Sequence, residues 1–119
     1  MRIIILILCN HVLEHIPDDH TAMSELYRVM KSDGLGIFQV PIDYNIDCTY
    51  EDFSIITEKD RIKAFGQKDH VRWYGNDYKN RLAKSGFSVN EDHFIKSLTK
   101  EEIFKNGLLS KELIYCCTK

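Results

Sequence analysis

The 119-residue sequence predicts an α/β fold in which helices pack on a largely parallel sheet, and three observations carry that reading. The run "IIILIL" from Ile3 to Leu8 is six aliphatic residues without alternation, the pattern of a strand covered on both faces. Strand-like and helix-like segments then alternate down the chain, as they do in layered α/β architectures. Glycines follow the helical segments, where a left-handed residue ends a helix cheaply. The expected arrangement has three layers, although only about four strands are supplied.

Taken in order, the aliphatic strand is ended by polar "CNH". In "PDDHTAMSELYRVMK", Ala22, Met23, Leu26, Tyr27, Val29 and Met30 recur at helical spacing. Pro17 suits the opening of that helix because its missing N–H is not needed in a first turn, and Asp18 and Asp19 meet the positive end of the dipole. "SDG" predicts the stop, with Gly34 as a left-handed cap, and "LGIFQVPI" reads as a second strand. Residues 43–76 are irregular, polar and aromatic, with one short helix expected around Glu58 to Phe65. Connections of that length are functional or disordered, and the aromatic content argues against disorder. "NDYKNRLAKSGF" follows as a helix with a glycine stop, "SVNEDHF" as a strand, "TKEEIFKNG" as a short helix and "KELIYCCTK" as a closing strand. No repeat, low-complexity tract or linker divides the chain, so a single domain over residues 1–119 is expected.

Charge and cysteine usage narrow the function. Sixteen basic residues against eighteen acidic ones leave a formal charge of -2, so there is no basic field to attract nucleic acid or an anionic membrane. Cys9, Cys48, Cys116 and Cys117 lack Cys-x-x-Cys spacing and two are adjacent, which predicts reduced thiols in a cytoplasmic protein. Cys116 and Cys117 fall on opposite faces of the closing strand and read as packing residues. "MRIIILIL" has the basic start and apolar run of a targeting segment. The run is too short and leads straight into polar residues with no cleavage pattern, so a strand is the better reading.

The stretch "HVLEH" contains His-x-x-Glu-His, the signature of one class of zinc peptidase. Such a site needs His11 and His15 one turn apart on a continuous helix, with Glu14 as base. Pro17 would clash with the carbonyl of Leu13 inside that helix. The motif also follows a strand at once, where α/β proteins place ligand-binding loops. No metal is therefore expected, and a metallopeptidase is kept only as a distant alternative.

The same residues carry a resemblance. "ILILCNHVLEHIPDDHTAMSELYRVMKSDGLGIFQVPID" resembles the second half of a class I S-adenosylmethionine-dependent methyltransferase of the small-molecule group, in which a strand ends in a polar turn, then "HVLEHIPD", a helix and a strand ending in proline. "FGQKDHVRWYGNDYKNRLAKSGF" and "NGLLSKELIYCCTK" resemble the later part of one bacterial subgroup. The resemblance covers essentially the whole chain. It implies an incomplete Rossmann-like α/β fold made of the family's fourth to seventh strands, the last antiparallel to the rest.

Two family features are missing from the sequence: a glycine-rich turn after a first strand and an acidic residue that binds the ribose. An aspartate usual near the start of this strand is also replaced by Ile4 or Ile5. The chain thus looks like the carboxyl-terminal half of a methyltransferase, with adenosylmethionine the cofactor of the intact family and not bound tightly here.

The resemblance puts Cys9, Asn10 and His11 beside the methionine end of the cofactor, with His11 nearest the methyl group. His11 and His70 are candidate catalytic bases, because an imidazole titrates near neutrality; the bland alternative for His11 is a backbone hydrogen bond at the strand end. Gln67, Asp69, His70, Arg72 and Tyr74 are candidate contacts to a small-molecule methyl acceptor, against a reading in which Trp73 and Tyr74 merely anchor an ordered loop. Glu14 and His15 read as helix-capping or structurally paired, and His20 and His93 as surface residues. A strand without the family's covering half predicts an open edge, and hence a homodimer or higher oligomer through residues 3–8. The functional alternatives are a non-catalytic binding or regulatory module, and a half-enzyme completed by another chain.

Overall fold

The computed structural model describes residues 3–119; Arg2, the basic residue weighed for a targeting segment, lies outside them. Strand β1 (Ile4–Asn10) leads through a short 3-10 turn (Leu13–His15) into α1 (Asp19–Val29), and β2 (Met30–Gln39) follows at once. The middle segment holds β3 (Tyr50–Glu51), α2 (Glu58–Phe65) and β4 (Arg72–Trp73). After it come α3 (Tyr78–Lys84), β5 (Ser88–Asp92), a 3-10 turn (Phe94–Ser97), α4 (Lys100–Lys105) and β6 (Ile114–Thr118). The main sheet has the order β1-β2-β6-β5, while β3 and β4 form a small sheet of their own. β1 and β2 are parallel, and β6 runs antiparallel to both β2 and β5. The α/β class and the antiparallel last strand are those expected.

The core lies between one face of this sheet and helices α1 and α3. Met23 of α1 and Tyr78 and Leu82 of α3 are buried against Phe38 and Val40 beside them and Tyr115 and Cys117 of β6. Tyr74, Tyr78 and Tyr115 meet edge to face at centroid distances of 4.8 and 5.1 Å, a geometry that aromatic quadrupoles favour. Because Tyr78 is buried, its hydroxyl needs a partner, and it donates to the Phe38 carbonyl at 2.9 Å. Cys117 is buried and Cys116 only partly so, as the alternation in β6 requires. Gly86, which ends α3, has φ 114° and sits where a side chain would strike the Tyr27 ring, so both the backbone and the packing call for glycine.

Two expectations are corrected. The helix does not run on to "SDG" with Gly34 as a left-handed cap: it stops at Val29, Met30 is already extended (φ -74°, ψ 137°), and Gly34 lies within β2. The side chain of Met30 is buried in the core and its backbone pairs with Ile4, so sheet pairing wins over one more helical turn. Leu6 then pairs with Leu35, and the intervening residues form an irregularity in the register. The second correction concerns β1, which was expected to be covered on both faces. Only Ile7 and Cys9 pack on the core, while Ile5, Leu6 and Leu8 are 56%, 51% and 62% exposed. β1 is an edge strand, paired on one side by β2 alone.

Candidate functional site at the carboxyl end of beta-1

The site begins where β1 runs out. His11 N donates to Gln39 O at 2.8 Å, extending the β1–β2 pairing by one residue. His11 then adopts φ 56°, the sole non-glycine residue with a positive φ among those described. Side chains rarely take that conformation, and it recurs where a backbone is bent to present a group. The Gln39 side chain does the equivalent service for β6: its Nε2 donates to Leu113 O at 2.9 Å and its Oε1 accepts from Tyr115 N at 2.7 Å. Beyond these ends, His11, Pro41, Asp43, Tyr44, Lys111 and Glu112 border a cleft of about 470 Å³. That volume suits a small molecule, and the carboxyl ends of parallel strands are where open α/β sheets bind one.

Of the three residues expected beside a cofactor, His11 is exposed at this cleft, Asn10 is exposed, and Cys9 is half-buried. Burial, and then the nearby charge of Glu14, push the Cys9 thiol up, so it stays protonated and is a poor nucleophile. A whole adenosylmethionine does not fit the described residues. The nearest approach to a glycine-rich turn, Gly34 and Gly36, lies inside β2 against Met30 and Phe38 and offers no cradle.

Behind His11 the structure brings Glu14, His15 and His70 together, a grouping the sequence did not announce. Glu14 is 2% exposed, and neither carboxylate oxygen has a hydrogen-bond partner. Its Oε1 lies 3.8 Å from His11 Nδ1 and 3.6 Å from His15 Nε2. The other nitrogen of His15 is 3.2 Å from Asp69 O and 3.5 Å from Asp69 Oδ2. His70 is buried and meets the His15 ring perpendicularly at 4.6 Å. Burial, and then the neighbouring His15, lower the His70 pKa, which favours a neutral imidazole. Donor atoms of Glu14, His15 and His70 all lie within 4.8 Å of one another. His15 and Glu14 do not cap α1; Asp18 does, accepting from Thr21 N at 3.0 Å.

The loop residues divide. Gln67 and Asp69 are exposed and His70 joins Glu14. Arg72 and Tyr74, expected to face an acceptor, are instead 1% and 0% exposed and fully engaged by the protein. Arg72 Nη1 donates to Leu13 O and Ile16 O at 2.7 and 2.6 Å, Nη2 to Pro17 O at 2.7 Å, and Nε to Glu51 Oε1 at 2.7 Å. This fork clamps the whole Leu13–Pro17 turn, while Val71 N donates to Glu14 O at 2.9 Å. Tyr74 Oη donates to Asp19 Oδ2 at 2.7 Å, and burial first, then that carboxylate, keep its phenol protonated. Arg81 completes the network, donating to Asp19 at 2.9 Å and to Glu51 at 2.8 and 3.1 Å. None of these loop residues borders the cleft at His11.

Residues 6–38 match the family model of a methyltransferase domain. None of the curated proteins matches the chain. Among solved structures, a candidate methyltransferase from Bacillus halodurans C-125 is 20% identical, with 94% of this chain and 63% of that one covered at a TM-score of 0.46. The chain thus spans less than two thirds of that protein's length. The matched stretch, from within β1 through the His11 turn and α1 to Phe38 of β2, is thus similar to part of a methyltransferase domain, the resemblance its sequence also shows.

Proposed function

We propose that the chain is the carboxyl-terminal part of an adenosylmethionine-dependent methyltransferase domain, the part that receives the methionine end of the cofactor and a small-molecule methyl acceptor. The observation that carries this is the match over residues 6–38, whose polar turn puts His11 on the rim of the cleft of about 470 Å³. With an activated methyl donor, catalysis asks mainly for positioning and, for some acceptors, a base. His11 is exposed on the rim and is the candidate for that base. His70 is buried behind Glu14 and acts through the turn. The adenosine cradle comes from polypeptide outside these 119 residues, in the same protein or in another chain. The free thiol of Cys48, which is exposed, suits a reducing compartment such as the cytoplasm. No helix among the described residues is long and apolar enough to cross a membrane.

Calorimetric titration tests the reading. The isolated chain is expected to show no saturation with adenosylmethionine in the micromolar range. A micromolar dissociation constant for this chain alone would overturn it, because such affinity requires a complete cradle.

A further inference from the structure

Glu14 poses a problem that methyl transfer does not solve. A carboxylate removed from water costs several kcal/mol unless it is paired and hydrogen-bonded, and both of its oxygens lack hydrogen-bond partners. The imidazole nearest to it does not help. His15 Nδ1 faces the Asp69 carbonyl at 3.2 Å, and a carbonyl can only accept, so the ring proton belongs on Nδ1. His15 Nε2 lies 3.6 Å from Glu14 Oε1, too far apart for a hydrogen bond.

A cation between them resolves both difficulties. We propose that Glu14, His15 and His70 bind a divalent cation of the zinc class, tying the turn after β1 to the loop before β4. Two imidazoles and a carboxylate are a recurrent zinc donor set. Ligands at the usual 2.0–2.2 Å around a tetrahedral zinc stand roughly 3.4 Å apart, close to the 3.6 Å between Glu14 Oε1 and His15 Nε2. The widest separation in the group, up to 4.8 Å, must close by about 1.4 Å to reach that spacing. Asp69 supplies the outer support that metal-bound histidines commonly have, an oxygen on the far ring nitrogen. A water would complete the shell.

This set differs from a His-x-x-Glu-His peptidase site. Glu14 is a ligand rather than a base, the third donor arrives from His70, and no continuous helix is needed. The objection raised by Pro17 therefore does not reach it. The proposal is also independent of methyl transfer and can succeed or fail without it.

The test uses the full chain, stripped with a chelator and titrated with cobalt(II) alone. One cobalt per chain is expected, with visible bands of a low-coordinate nitrogen and oxygen site, no thiolate charge-transfer band, and displacement by zinc. Glu14→Gln and His70→Asn should each weaken binding by at least about tenfold, the lower end for loss of even an outer partner. His93→Asn, on the surface, should leave it unchanged. If the variants fail to fold, paramagnetic shifts on the ring protons of His15 and His70 in the unsubstituted chain decide the matter. Absence of saturable binding, binding indifferent to both substitutions, or equal loss with His93→Asn would overturn the proposal.

Discussion

Arg72 organises the turn that carries the site, and it does so through groups that no neighbour in sequence supplies. Its guanidinium satisfies the carbonyls of Leu13, Ile16 and Pro17 and pairs with Glu51, all from a buried position. Arg72→Met should destabilise the fold by about 3–5 kcal/mol in urea titration, since it strands buried carboxylates and carbonyls together. Arg72→Lys should recover little, because an ammonium cannot reproduce the planar fork; full recovery would show that charge alone matters. Glu51 reports the same network through pH. Hydrogen bonds from Arg81, and then from Arg72, hold its carboxyl below the usual range against the opposing effect of partial burial. A depressed folded value means that its contribution is fully present above the unfolded value of about 4.3 and is lost as pH falls through the folded one. Glu51→Gln should therefore flatten the acid limb of the stability curve, and an unchanged limb would contradict this. Sequence reasoning picked out Arg72, Tyr74 and His70 as chemically interesting but put Arg72 and Tyr74 at an acceptor. Residue type is visible in a sequence, whereas a contact between Arg72 and Leu13 across the fold is not. The burial of Glu14 was hidden for the same reason.

At the level of elements, the legible parts were those with local signals. α2 occupies Glu58–Phe65 as expected because Thr57 caps it and Gly66 (φ 86°) ends it, both features of the sequence itself. The capping box of Thr99 and Glu102 likewise places α4. The two-residue strands β3 and β4 escaped notice because no periodicity can show in two residues. The helix-to-strand change at Met30 depended on pairing with β1, a tertiary event. β1 is the element with the largest consequence. Its aliphatic run gave a strand correctly, yet its exposed side chains mark an edge rather than an interior. We propose that a second copy covers it, since an aliphatic edge strand is complementary to itself about a two-fold axis. Each side chain fully buried there is worth about 1.5–3 kcal/mol. Sedimentation equilibrium should show a dimer, with Ile5→Lys shifting the mass toward monomer. A stable, monodisperse monomer of the unsubstituted chain at high concentration would refute it.

The molecule as a whole has a four-stranded main sheet and a small two-stranded one, and the strand ends at β1 and β2 open onto a cleft of about 470 Å³, with a buried Glu-His-His group behind the turn that bounds it. The α/β class was legible from the alternation of strand-like and helix-like segments, whereas the antiparallel last strand was implied only by the resemblance. It could not show where the cleft lies, since Lys111 and Glu112 reach His11 only through the return of β6. We propose a divided site: its methyl-transfer end is at this cleft, and its adenosine end is not formed by the described residues. Its most direct test is a titration of the isotopically labelled protein with S-adenosylmethionine, followed by amide chemical shifts. Weak, millimolar binding is expected, with shifts confined to Cys9, Asn10, His11 and the segment from Val40 to Asn45. Saturation at micromolar ligand, shifts centred elsewhere, or no shifts at millimolar ligand would contradict the claim.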